Sequence, residues 1–164
     1  MASSTNALPI VSLCLAGLSL GAAAYQSYSH GRNLEVVQRN VLRAEYLRTC
    51  RDIIDAYFQI KMRTYAMNEA AINHGRGPEV VDPLVQREVE AAVFKFGALG
   101  TFLANFRDDI VRERYTQLSW KLLAIARETY KQPRVDFDKA YGEADTLFGE
   151  MNEDCARTAR LSFF

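Results

Sequence analysis

The chain's 164 residues are enough for one domain with its own core and too few for two large ones. Hydrophobic residues make up 49% and charged residues 24%, which excludes wholesale disorder. Twenty Lys and Arg balance twenty Asp and Glu, so no overall field draws the chain onto nucleic acid.

Only nine Gly and four Pro are present. Long stretches without breakers favour helices over short strands. The expected class is therefore all-α: a single N-terminal transmembrane helix followed by an antiparallel bundle of three to four long helices. The expected division is 1–30 for the anchor and 31–164 for the bundle.

Residues 7–28 (ALPIVSLCLAGLSLGAAAYQSY) carry no charge, and as a helix would rise about 33 Å, the thickness of a bilayer core. Strong apolar groups fill the first half, while Tyr25 and Tyr28 sit where an interfacial belt would lie. A spanning anchor is the first reading. Cleavage of a signal peptide near Ala24 is the alternative, since Ala22 and Ala24 form a small-x-small pattern, although MASSTN lacks the usual basic residues. A buried core helix is the third.

Arg32, Arg39, Arg43, Arg48 and Arg51 all follow the segment. The positive-inside rule then places the N-terminus outside and the bundle in the cytoplasm, as at a bacterial inner membrane. Arg32, Arg39 and Arg43 lie where they would meet anionic lipid headgroups. Gly17, Gly21 and Ala24 form a small-residue pattern that would let two membrane helices pack closely.

Two clusters of breakers, at 73–83 and at Gln132-Pro133, cut the remainder into three helical blocks. The first runs from about 33 to 71, with Leu34, Val37, Val41, Ala44, Leu47, Ile54, Tyr57, Phe58 and Tyr65 as its apolar face, and could continue the membrane helix. His74-Gly75 ends it.

Asp82-Pro83 opens the second block. Val85, Val89, Ala92, Phe96, Leu99, Leu103 and Phe106 keep a 4-3 spacing there. The repeat resumes out of phase at Val111, Tyr115, Leu118, Leu122 and Ile125, which means either a turn near 105–109, the preferred reading, or one long helix that absorbs a register skip. Within this block, 91–106 has one charge, Lys95, and is too short to span a membrane, so it reads as a core helix. In the third block Asp136 is the expected cap. Phe137, Ala140, Tyr141, Ala144, Leu147, Phe148, Met151 and Cys155 line the core, and Glu143, Asp145, Glu150, Glu153 and Asp154 form an acidic solvent face.

Chemistry-bearing motifs are scarce. His30 and His74 are the only histidines, too few for a typical zinc, haem or di-iron site, so no cofactor or metal is expected. There is no phosphate-binding GxxxxGK[ST], no GxSxG, no HExxH and no EF-hand loop. Cys14, Cys50 and Cys155 offer no CxxC pair; they read as thiols in a reducing compartment, with a Cys50–Cys155 bridge open only to an exported domain.

A non-enzymatic interaction or scaffold protein at the cytoplasmic membrane face follows, with membrane lipid and protein partners or self-association. No nucleic acid and no small-molecule substrate are indicated. An oligomerising effector or sensor acting on the bilayer is the alternative, and a soluble exported protein cleaved near Ala24 is another.

Overall fold

The computed structural model of the chain describes residues 7–75, 78–106 and 109–160, with side chains at all of these except 7–11, 78 and 158. Four helices follow in order: α1 (Ala7–His74), α2 (Pro83–Ala104), α3 (Asp109–Glu128) and α4 (Arg134–Arg160). A single 3-10 turn, Pro78–Val80, lies between α1 and α2, and no strand occurs among the described residues. The chain divides into two compact units, Met1–Ala44 and Glu45–Phe164.

Local chemistry sets the helix ends. α1 stops where Gly75 takes φ 115°, a left-handed conformation that L side chains avoid. Asp82 caps α2 by accepting from the Leu84 amide at 2.8 Å, and Pro83 occupies the first turn, where its missing N–H costs nothing. The expected turn after α2 is present: Asn105 and Phe106 donate to Phe102 and Leu103, tightening the last turn. α4 begins at Arg134, with the Pro133 carbonyl accepting from the Phe137 amide at 3.1 Å. Asp136 is therefore not the cap but a first-turn carboxylate facing the positive helix end.

In the Glu45–Phe164 unit each helix buries one 4-3 stripe. α1 buries Tyr46, Cys50, Ile53, Tyr57, Ile60, Thr64, Met67 and Ala71, and α4 buries Phe137, Tyr141, Ala144, Phe148, Met151 and Cys155. α2 contributes Val89, Val93, Phe96, Gly100 and Leu103, and α3 Tyr115, Leu118, Leu122 and Ile125. Such stripes repeat every 3.5 residues, so helices joined by short turns pack antiparallel along them.

The residue pairs show the antiparallel sense. Between α1 and α4, Tyr46 meets Asp154, Tyr57 meets Asp145, and Tyr65 meets Asp138. Between α1 and α2, Tyr46 faces Phe106, Tyr57 faces Phe96, and Arg63 pairs with Glu88. At the centre the Tyr57 ring stacks on Phe148 at 3.9 Å, with Phe96 in contact with both and with Tyr115.

Four further sequence expectations change. The apolar face expected for the first block is only partly the buried one: Leu34, Val37, Val41 and Phe58 are exposed, and burial starts at Tyr46 on a different register. The α4 acidic face is not all solvent-facing, because Asp145 accepts from Tyr57 and Lys61, and Asp154 accepts from Tyr46. Cys50 and Cys155 are joined in a disulfide with Cα atoms 6.0 Å apart, well inside the range a bridge allows. Antiparallel pairing of α1 with α4 brings them together across 105 residues, a register that no local spacing encodes. Finally, among the described residues no helix is long and apolar enough to cross a membrane, so the expected transmembrane helix is unsupported there. The side chains that open the uncharged run, Leu8, Ile10 and Val11 among them, lie outside the described residues.

The stretch 91–106 is a core helix, as expected, burying Val93, Phe96, Gly100 and Leu103 against its neighbours. Gly97 and Gly100 allow the close approach: a Cβ on Gly100 would lie 2.5 Å from Tyr115 Cγ.

Candidate interaction surface

Two surface depressions in the Glu45–Phe164 unit bear on function. The first, of about 280 Å³, lies where α2, α3 and α4 meet and is lined by Arg114, Tyr115, Glu150, Met151, Asp154 and Arg157, among others. Its central carboxylate, Asp154, accepts from Tyr46 at 2.9 Å and pairs with Arg157 at 3.4 Å.

The second runs along the outer face of the α2–α3 hairpin and measures about 240 Å³. Gly97, Ala98, Thr101, Thr116 and Ser119 form a floor of small side chains, with Phe94 and Trp120 beside it. Phe94 is 62% exposed and Trp120, the chain's only tryptophan, 64%. Two large aromatics held open to water beside a small-residue floor form an anchor arrangement typical of protein contact sites. Trp120 also borders a neighbouring depression with Ala124, Arg127 and Glu128.

Sequence reasoning passed over Phe94 and Trp120. Both stand off the 4-3 stripes of their helices, and an aromatic at an outward position was the signal available.

The sequence-predicted residues lie elsewhere, on α1. Gly17, Gly21 and Ala24 are exposed, and a Cβ on either glycine would meet nothing within 4 Å. Arg32 sits 6.0 Å from the Tyr28 ring centroid, and Arg39 pairs with Glu35 on the same helix. Arg43 is half-buried. His30 and His74 are both exposed, on α1 and at its last turn. Of the acidic and basic cluster after α2, Arg107 and Asp108 lie outside the described residues, while Asp109 pairs with Arg112 at 3.0 Å. Among the described residues no group of three or more His, Cys, Asp or Glu side chains is placed to hold a metal ion.

The groups shifted furthest are tyrosines of the core. Burial, then the hydrogen bond to Asp145, pushes the Tyr57 phenol far above its ordinary value. Burial does the same to Tyr115 and, against the opposing hydrogen bond with Thr64, to Tyr141. All three favour the neutral form in the fold, which marks packing rather than acid–base work near neutrality. A raised folded value means their contribution is complete below the unfolded pKa of about 10 and is lost as pH climbs above it. Ultraviolet titration of the folded protein to about pH 11 is therefore expected to leave Tyr57, Tyr115 and Tyr141 protonated, with stability falling above about pH 10. Full ionisation of all eight tyrosines with the fold intact would contradict this burial.

Compared with protein-family models, with curated proteins and with solved structures, the chain matches none.

Proposed function

We propose that the protein is a membrane-tethered, non-enzymatic interaction module, held by residues 7–28 and presenting the Phe94–Trp120 groove to an amphipathic helix of a partner protein. The groove carries this reading: its small-residue floor beside two exposed aromatics matches the ridge-and-groove fit of one helix onto a pair. Support for the tether is the uncharged run itself, whose length matches a bilayer core and whose end is marked by Tyr25, Tyr28 and Arg32.

Carbonate extraction of membranes tests the tether. The native chain is expected in the pellet and a Leu13→Arg, Leu18→Arg variant in the supernatant; release of the native chain overturns the tether. For the groove, a partner recovered with the native protein is expected to be lost with Phe94→Ala, Trp120→Ala and kept with Phe58→Ala, another exposed aromatic side chain, away from the groove. Equal recovery by all three removes the groove from the proposal.

Which side of the membrane holds the bundle rests on opposing observations. The five arginines after the apolar run favour the cytoplasm. The Cys50–Cys155 bridge favours a second reading, export to an oxidising compartment, where such bonds persist. Alkylation of the denatured protein without reductant separates them. Cytoplasmic protein is expected to label at residues 14, 50 and 155, and exported protein at most at Cys14.

A further inference from the structure

In the Met1–Ala44 unit the described side chains are exposed almost throughout, with only Ser29 and Arg43 half-buried. Ten of them fall on a single 3-4 repeat: Leu13, Ala16, Leu20, Ala23, Ser27, His30, Leu34, Val37, Val41 and Ala44. Leu13, Leu20, Leu34 and Val41 take the first core position of each heptad, and Ala16, Ala23, Val37 and Ala44 the second. Only Ser27 and His30, one turn in the middle, are polar.

Three features separate this stripe from ordinary surface. First, charge is absent from it. The charged residues between 12 and 44 are Arg32, Glu35, Arg39 and Arg43. All four occupy outer heptad positions, while the flanking positions hold neutral residues such as Gln26, Asn33, Gln38 and Asn40. Neutral flanking positions place no like-charge repulsion between two copies of the helix, so nothing beside the seam opposes self-pairing.

Second, the stripe is not the bundle stripe continued. Extending its repeat past Ala44 reaches Arg48 and Arg51, both exposed, whereas the stripe buried from Tyr46 onward runs two residues out of phase. Third, the repeat ends where the compact unit ends, at Ala44. An isolated helix of this kind leaves Leu34, Val37 and Val41 more than half exposed, and helices in water draw most of their stability from packing such a face.

We propose that residues 13–44 of α1 pair with the same residues of a second copy as a parallel, in-register coiled coil. Leu34, Val37 and Val41 form its aqueous core layers. Towards the N-terminus Ala16 and Ala23 let the two backbones close up, with Gly17 and Ala24 bordering the seam, an arrangement that packs in lipid as well as in water. Gly21 falls on the outside. Pairing itself stands without the membrane; only its parallel sense rests on the tether, since helices leaving one bilayer must run the same way.

Disulfide trapping of the full-length chain, in a Cys14→Ala background, tests the register. Val37→Cys and Val41→Cys are expected to form dimer about fivefold more efficiently than Arg39→Cys, because core positions face their copies and outer ones do not. In parallel, light scattering of Leu34→Glu, Val41→Glu is expected to report monomer with the bundle's unfolding midpoint unchanged, as both side chains are exposed within the chain. Equal trapping at all three sites, or a dimer surviving the double glutamate variant, overturns the proposal. A dimer that traps at none of them overturns the parallel register. Carbonate extraction reports the tether separately, so neither failure can be mistaken for the other.

Discussion

Reduction of the Cys50–Cys155 bridge is expected to lower the unfolding free energy of the bundle by about 4 kcal/mol. The two cysteines are separated by 105 residues. Closing a loop of that size removes chain entropy from the unfolded state worth about 4–5 kcal/mol on the polymer model, and measured bridges fall somewhat below it. Domains of this size are stable by about 5–15 kcal/mol in total, so the bridge accounts for a large fraction. Urea unfolding followed by circular dichroism, with and without reductant, measures it directly. The reduced form is expected to show a steeper denaturant dependence as well, because its unfolded chain expands further. A Cys50→Ala, Cys155→Ala variant is expected to unfold like the reduced protein and to ignore reductant. Coincident curves for the two redox forms would mean that the bridge does not close.

Gly100→Ala is expected to destabilise the bundle by about 2 kcal/mol, the opposite sign to that of an ordinary helical Gly→Ala change. A Cβ there would lie 2.5, 2.6 and 2.7 Å from Cγ, Cβ and Cδ1 of Tyr115. These atoms sit at the root of a side chain that is 2% exposed, so relief requires α2 and α3 to separate. The helix-propensity gain of about 1 kcal/mol offsets only part of that overpacking. Two other helical glycines calibrate the effect. Gly142, with nothing within 4 Å of a Cβ, is expected to gain up to about 1 kcal/mol on change to Ala. At Gly97 the obstacle is the Ser119 hydroxyl at 3.0 Å, which can rotate, so the change is expected to be near neutral. Thermal or urea midpoints ordered Gly142→Ala highest and Gly100→Ala lowest would establish the close approach. Equal midpoints for these two would refute it.

Both effects depend on contacts between different helices rather than within one, and this divides what was legible from what was not. The helices and most of their ends were legible, the start of α4 at Arg134 rather than after Asp136 being the exception. Gly75, Asp82-Pro83, the phase break before Val111 and Gln132-Pro133 act through the backbone of their own neighbours, so a single turn of chain contains the cause. The buried stripes of α3 and α4 were legible for the same reason: an amphipathic helix announces its apolar face by spacing alone.

α1 was harder, because apolar residues keep helical spacing along its whole length. Leu34, Val37 and Val41 look no different from Ile53, Tyr57 and Ile60 until it is known which of them meets another helix. The two-residue phase change near Ala44 becomes meaningful only once burial begins at Tyr46. Phe94 and Trp120 were missed because their importance lies in being left uncovered, and exposure is a property of the assembled bundle.

Periodicity and breakers thus settle that this chain is helical and where each bundle helix turns, since those interactions span a few residues. The Cys50–Cys155 pairing, the Tyr–Asp contacts between α1 and α4, and the open aromatic groove follow instead from antiparallel register. That register is chosen by the joint packing of four stripes, and no one stripe contains it.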